Sequence, residues 1–233
     1  MKQRKVIFWD FDETLAFREV KWTGTLLGIL EKNNITGFRY EEISPLLGEI
    51  YPWKYPDLPH SLLMKGKDWW EYMNEGIALV LQRLGVESSW SRDLALLFRG
   101  EYLRPEAWHV YDDTLPALAE AKERGFRNMI LSNHVPELGD LVDAMKLSGH
   151  FEAVFTSGII GHEKPSRKLF LHALSAAGNP AGAVMVGDNY HSDITGAMEA
   201  GIPAVLVRKA NTFNHPHYSP SLGPVLDMID GMI

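Results

Sequence analysis

A four-residue apolar run, Val6-Ile7-Phe8-Trp9, halts at Asp10, and Asp12 and Thr14 follow at alternate positions. No polar residue interrupts the run, so it reads as a strand covered on both faces, as in the middle of a parallel sheet. Parallel strands need long crossovers, usually helical, so this stretch already asks for an α/β fold. It also presents carboxylates where the strand meets solvent, the edge at which open α/β sheets bind ligands.

From residue 105 onward the chain supplies the crossovers. Residues 113–124 predict a helix, with Asp112 or Asp113 as N-cap and Gly125 as terminator. Residues 127–131 predict a strand ending at Ser132-Asn133. Leu138, Leu141, Val142 and Met145 form a helix face closed by Gly149, and residues 153–156 read as a short strand. Residues 166–177 predict a helix with Ser166 as N-cap and Gly178 as terminator. A strand over 183–186 ends at Gly187-Asp188, a helix over 194–200 closes at Gly201, and 203–207 is the last clear strand. This alternation predicts a Rossmann-like, doubly wound parallel sheet.

Between the first strand and this alternating region the pattern changes. Six of the seven tryptophans lie between Trp22 and Trp108. Leu26, Leu27 and Leu30 make one stripe, and Trp69, Trp70, Met73, Ile77, Val80, Leu81 and Leu84 make a longer one that ends at Gly85. Trp90, Leu94, Leu97, Phe98 and Tyr102 mark a third, and the proline-rich residues 51–59 read as a loop without regular structure. The expected organisation is a catalytic core over 1–16 and 105–233 and an all-helical cap over 17–104. The aromatic stripes form the cap's own core, and Arg18, Lys21, Lys54 and Lys65 are its candidate cations for substrate, though each would ordinarily be solvated surface. In the polar tail, His215-Pro216-His217 reads as a rigid surface loop.

Composition narrows the function. A net charge of −7 argues against nucleic acid or an anionic membrane as the main partner. The absence of cysteine excludes disulfides, thiolate metal sites and cysteine nucleophiles. Met1-Lys2-Gln3-Arg4-Lys5 leads into an apolar run too short for a signal peptide, and no apolar stretch reaches membrane-spanning length. A cytoplasmic location is expected.

In a parallel sheet the strand ends gather on one edge. Asp10 and Asp12, Ser132 and Asn133, Lys164 in a loop after the third strand of this series, and Asp188 with Asp193 would then converge. Clustered carboxylates repel until a proton or a cation relieves them. Oxygen-only ligands select Mg2+ over zinc or copper. Such a site accepts a phosphate oxygen, with Lys164, the Ser132 hydroxyl and backbone N–H groups near Phe11 and Asp12 for the remaining charge. One carboxylate can then attack phosphorus while another moves the proton. Each element alone has an ordinary explanation in turn or helix-cap chemistry; all four in this order, each at a strand end, do not.

Taken together, Asp10-Phe11-Asp12-Glu13-Thr14-Leu15, Leu131-Ser132-Asn133, Glu163-Lys164-Pro165 and Val186-Gly187-Asp188 through Asp193 resemble the motifs of the haloacid dehalogenase superfamily. The resemblance covers residues 1–16 and about 105–207, and the insertion resembles the helical cap of a phosphoglycolate phosphatase-like subgroup. It implies Asp10 as nucleophile and Mg2+ ligand. Asp12 becomes the general acid/base and a ligand through its carbonyl, and Thr14 the residue that orders the turn beside the phosphate. Ser132 and Asn133 become phosphate-binding, Lys164 orients Asp10 and the phosphate, and Asp188 and Asp193 complete the metal site. Many members have glycine where Glu13 stands and after the asparagine, where His134 stands; His134 reads as a solvated loop residue. Where the family has an acidic-proline pair, this chain has Ser166-Arg167.

The resulting expectation is a Mg2+-dependent phosphatase acting on a small phosphorylated metabolite. A phosphomutase and a haloacid dehalogenase are the enzymatic alternatives, and Asp12 weighs against the dehalogenase, which needs no second acid. A phospho-receiver domain is the non-enzymatic alternative, but such domains are shorter and split their acid cluster between two early strands.

Overall fold

β1 (Val6–Trp9) is buried at every position. The computed structural model describes residues 5–233; residues 1–4, which carry most of the charged N-terminal stretch read above, lie outside them. A short strand β2 (Ala16–Phe17) follows and pairs antiparallel with β3 (His109–Val110). The remaining strands are β4 (Arg127–Ser132), β5 (Ala153–Thr156), β6 (Ala183–Gly187), β7 (Ala204–Val207) and β8 (Tyr218–Ser219). They join β1 in a six-stranded parallel sheet of order β5-β4-β1-β6-β7-β8. The chain moves from β1 to one side and later returns to its other side at β6. The crevice beside β1 is therefore the topological switch point, where α/β sheets bind ligands.

The expected Rossmann-like parallel core is present. Its apolar strand faces pack with the helices on one side through Phe8, Met129, Leu169, Phe170, Met185, Ile194 and Leu206. Trp9 is fully buried, and its indole N–H donates to Asn128 Oδ1 at 3.1 Å; Asn128 in turn donates to the Leu118 carbonyl. A polar group buried between β1 and β4 is thereby satisfied, as buried polar groups must be.

Five helices lie in the insertion: α1 (Trp22–Lys32), α2 (Tyr40–Gly48), α3 (His60–Leu63), α4 (Trp69–Arg83) and α5 (Ser88–Tyr102). Six more serve the core: α6 (Thr114–Glu123), α7 (Leu138–Ala144), α8 (Ser157–Ile160), α9 (Arg167–Ala176), α10 (Gly196–Glu199) and α11 (Val225–Asp230). The chain divides into two compact units, one of residues 5–17 with Trp108–Ile233 and one of Arg18–Ala107. The β2–β3 pair keeps Phe17 with the core: its ring packs 5.3 Å from His109 and 4.8 Å from Tyr111.

Within the inserted unit Trp22 stacks on Phe98 at 5.1 Å and packs against Tyr102 at 4.5 Å. The aromatic stripes are core, with two exceptions. Trp90 and Leu97 are exposed, on the outer face of α5. Arg18 is neither a solvated cation nor a free one. It is buried, donates to the carbonyls of Glu101 and Tyr102, and stacks over the Tyr102 ring, tying the start of the unit to its end. Lys54 and Lys65 are exposed.

Several local expectations differ from the structure. Residues 51–59 contain one 3-10 turn, Pro52–Lys54, because a proline fits the first position of such a turn. α7 stops at Met145, where Lys146 takes a φ of +61°, and Gly149 belongs to a separate 3-10 turn. Asp113 and Ser166 occupy N-cap positions without capping through their side chains. The helix expected from Ile194 begins earlier as a π-helix, Tyr190–Thr195, because the Asn189 side chain accepts the N–H groups of His191 and Ser192. His215 is buried and its Nε2 lies 2.9 Å from the Ala204 carbonyl, a structural role. Among the described residues no helix is long and apolar enough to cross a membrane.

Candidate active site

β1, β4 and β6 each end in a candidate residue because each is a buried apolar run that stops where the sheet meets solvent. β1 delivers Asp10 and β6 delivers Asp188 on neighbouring, paired strands. β4 delivers Ser132 and Asn133 on the other side of β1.

Lys164 joins these strand ends from below. Its side chain is almost wholly buried, and its ammonium donates to Asp10 Oδ1 at 2.7 Å, Asp193 Oδ1 at 2.5 Å and the Leu131 carbonyl at 3.1 Å. Three donors meet three acceptors, the full capacity of an ammonium. The backbone around it is clasped by Asn133. The Lys164 N–H donates to Asn133 Oδ1 at 2.6 Å, and Asn133 Nδ2 donates to the Lys164 carbonyl at 3.0 Å. Asn133 is thus engaged with the lysine's backbone. Burial alone would lower the lysine's pKa, but Asp10 and Asp193 outweigh it and hold the group above its ordinary value.

Asp193 is held as tightly. Its Oδ2 accepts the Asn189 N–H at 2.9 Å while its Oδ1 takes Lys164. Gly187 explains why glycine precedes Asp188. A Cβ there would stand 2.3 Å from Asp193 Oδ2, so only glycine lets that carboxylate pass. Gly196 plays the same part for the lysine loop, since a Cβ would stand 2.8 Å from the Pro165 Cα.

Asp10, Asp188 and Asp193 each place a carboxylate oxygen within 4.8 Å of the others. Burial pushes Asp193 up, to about 7, with Lys164 opposing and Asp10 and Asp188 adding to the push. Asp188 is raised by burial and by Asp10. Asp12 is raised well above the carboxylate range, by burial first and then by Asp10 and Asp188. Such a cluster is short of positive charge, and its oxygen-only donors suit a hard divalent cation. Asp10 and Asp188 are the residues that could hold one directly. Asp193, with both oxygens engaged, stands behind them.

The other expected residues are accounted for. Ser132 Oγ and Thr14 Oγ1 are buried hydroxyls without a hydrogen-bond partner among the described residues. Glu13 has a φ of +60°, the left-handed backbone that glycine adopts most easily, so a glycine preference at this position has a structural reason. Arg167 opens α9 as its first residue.

Two residues were misread or missed. His134 is not solvated. It is buried against Phe11 and Trp108, its Nε2 lies 3.9 Å from Asp12 Oδ1, and burial pushes its pKa down to about 4. Lys209, two residues beyond β7, pairs its ammonium with Asp188 Oδ2. The signal was available: a lysine at a strand end, the rule that located the others. One substitution tests the packing of the site. Gly187→Ala must push Asp193 off Lys164, and urea denaturation is expected to show a loss of about 3–5 kcal/mol, the range for breaking a buried ion pair.

A family model described as haloacid dehalogenase-like hydrolase matches residues 4–201. A phosphoserine phosphatase of Thermus thermophilus is 32% identical over 94% of this chain and 94% of its own. A HAD-hydrolase of Bacillus subtilis, solved bound to magnesium, superposes with a TM-score of 0.74 at 16% identity over 99% of this chain and 100% of its own. A 2-haloacid dehalogenase of Pseudomonas syringae superposes with a TM-score of 0.70 at 19% identity over 99% of this chain and 100% of its own. With the family model covering most of its length and the Thermus relative aligning nearly end to end, this chain belongs to the haloacid dehalogenase-like hydrolases.

Proposed function

We propose that the protein is a Mg2+-dependent phosphatase that hydrolyses a small phosphorylated metabolite through an aspartyl-phosphate on Asp10. The observation that carries this reading is Asp12, a second carboxyl two residues beyond Asp10, with its pKa raised by burial and by the neighbouring acids. An alkoxide leaving group needs a proton, and a carboxyl whose pKa is raised is better suited to give one. A halide leaves without one, so Asp12 has no task in a dehalogenase. The Thermus relative, named for phosphoserine, supports a phosphate monoester as the substrate class.

The residues divide the work in two steps. Asp10 attacks phosphorus through a carboxylate oxygen as the bond from phosphorus to the ester oxygen breaks, and Asp12 protonates that oxygen so that the alcohol leaves. Asp12, now ionised, takes a proton from water; the water oxygen attacks phosphorus, the bond to Asp10 breaks, and inorganic phosphate departs with Asp10 restored. The Ser132 hydroxyl holds the transferring group, Lys164 orients Asp10 and sets its positive charge beside the phosphate, Asn133 and Asp193 hold Lys164, and Thr14 orders the turn. Bound Mg2+ would neutralise phosphate charge, with the Asp10 and Asp188 carboxylates and the Asp12 carbonyl as its ligands and Asp193 in support. The unit Arg18–Ala107 serves as the cap that selects the leaving group.

Phosphate release from a panel of phosphorylated amino acids, sugars and carboxylic acids, with and without Mg2+, tests the reading. Asp10→Asn is expected to lose at least ~10³-fold in kcat while remaining folded, with the native far-UV circular dichroism of the wild type. Retained activity in that variant, or chelator-resistant turnover of 2-haloacids by the wild type, overturns it.

A pH dependence follows with a definite sign. Asp12, Asp188 and Asp193 have folded-state pKa values above the ordinary carboxylate value near 4, Asp193 at about 7. Between those limits the metal-free folded protein binds more protons at this cluster than the unfolded chain, so the cluster's contribution to stability falls as pH rises. Mg2+ binds the ionised form and offsets that fall. The upward shift in unfolding midpoint caused by Mg2+ is expected to be small near pH ~5 and to grow through pH ~7.5. A shift independent of pH would sink the metal assignment.

A further inference from the structure

The turn after β7 sends Lys209 to Asp188, and its backbone is held in an uncommon form. Arg208 has a φ of +66°, and the Lys209 N–H donates to the Val207 carbonyl at 2.7 Å. A hydrogen bond spanning two residues around a positive φ is the rare, strained form of the γ-turn. Strain of this kind persists only where the surroundings over-determine the conformation, and it concentrates at functional sites.

What holds Arg208 is a set of four hydrogen bonds and a ring. Its Nε and one terminal nitrogen donate to the Thr14 carbonyl at 3.1 and 2.9 Å. Its two terminal nitrogens donate to Asp113 Oδ2 at 3.0 Å and Oδ1 at 2.6 Å, a bidentate pair. The guanidinium lies 3.9 Å from the centroid of the Tyr111 ring. Asp113 also accepts the Leu222 N–H at 2.8 Å. Burial pushes Asp113 up, but Arg208 and that N–H outweigh it and hold the carboxyl below its ordinary value. This is why Asp113, though placed as an N-cap, does not cap α6.

Thr14 sits in the turn that carries Asp12. The Phe11 carbonyl accepts the N–H groups of Thr14, Leu15 and Ala16, which closes the turn on itself. The Thr14 carbonyl points the other way and goes to Arg208. On the far side, the Leu15 carbonyl accepts the Tyr111 N–H and the Thr114 hydroxyl. Arg208 therefore supplies one tether that fixes the turn to the rest of the core, beside those made through the Leu15 carbonyl and the Ala16–Val110 strand pair.

We propose that Arg208, braced by Asp113, is a positioning residue for Asp12: it pins the 11–16 turn so that the Asp12 carboxyl and carbonyl stand where the reaction needs them. The pin is a geometric claim about the turn; its catalytic consequence rests on the acid/base reading of Asp12. A misplacement of 1 Å at a reacting group can cost ~10²-fold in rate, so a tether two residues away has leverage. Lysine can donate to one carbonyl but cannot form the planar fork that spans Thr14 and Asp113 together.

The test has two arms, applied to Arg208→Ala, Arg208→Lys and Asp113→Asn. In hydrogen-exchange mass spectrometry, exchange across residues 11–17 is expected to speed by ~10-fold or more in Arg208→Ala, less in the other two, while β4 keeps its protection. In kinetics, kcat for an alkyl phosphate is expected to fall ~10²-fold in Arg208→Ala with KM within about 3-fold. The leaving groups separate in the single-turnover rate of Asp10 phosphorylation: for p-nitrophenyl phosphate, whose leaving group needs no proton, that rate should fall about 10-fold less than for the alkyl phosphate, and Arg208→Lys should recover part of the loss. Asp113→Asn keeps the arginine and the side-chain shape, so it reports even if Arg208→Ala does not fold. Unchanged exchange over the turn, or an equal loss in the phosphorylation rate on both substrates, overturns the proposal. If the wild type releases no phosphate, the function reading fails and the exchange arm decides the pin by itself.

Discussion

Lys164 carries its charge on a side chain with 1% of its area in contact with solvent. Removing an ammonium from water costs several kcal/mol, and only well-placed partners offset it. Two carboxylates and a carbonyl do so here, and much of the nearby backbone is arranged to keep them in place. Asn133 clasps the lysine's own peptide groups, the Asn189 N–H fixes Asp193, and the missing side chains of Gly187 and Gly196 leave room for Asp193 and Pro165. A buried ion pair of this kind is weak evidence for stability, since apolar replacements often do as well. Its value is chemical: it fixes one oxygen of Asp10 beside a permanent cation at the crevice next to β1.

Much of this was legible in the sequence because a strand buried on both faces is written as an apolar run, and the residue that ends it is written as a polar one. That contrast placed Asp10, Ser132 and Asp188 at one sheet edge before any coordinates. Lys164 and Asp193 followed from their spacing to those strands. The rule failed where burial comes from distant residues. His134 follows a strand end like any solvated polar residue, and Phe11 and Trp108, far from it in the chain, pack against it. Trp90 failed in the opposite direction. It keeps the helical spacing of a core residue but lies on the solvent side of α5. The π-helix at Tyr190–Thr195 was invisible because apolar periodicity does not report a start set by the Asn189 side chain.

Asp113 shows why local signals mislead when a long-range partner competes. As the residue before a helix it offers a cap, yet a bidentate guanidinium from the end of β7 outbids a single backbone N–H. The same turn turns Arg208 toward Thr14 and Asp113 and sends Lys209 to Asp188, so two adjacent cations serve the turn bearing Asp12 and the acid cluster at β6. Charge at this site is thus balanced from both sides of β1, by Lys164 from the loop after α8 and by Lys209 from the end of β7. Burial raises Asp188 and Asp193 even so, against the opposing pull of these two lysines.

The central claim is that Asp10 becomes phosphorylated and then returns to a free carboxylate with each turnover. Rapid acid quench of the enzyme during turnover of a phosphate monoester, followed by peptide mass spectrometry, reads this directly. The account predicts one phosphoryl group on Asp10, which forms and decays at rates compatible with kcat and is absent in Asp10→Asn. Sustained turnover with no phosphoryl group on Asp10 at any time, or with the group on another residue, would contradict it.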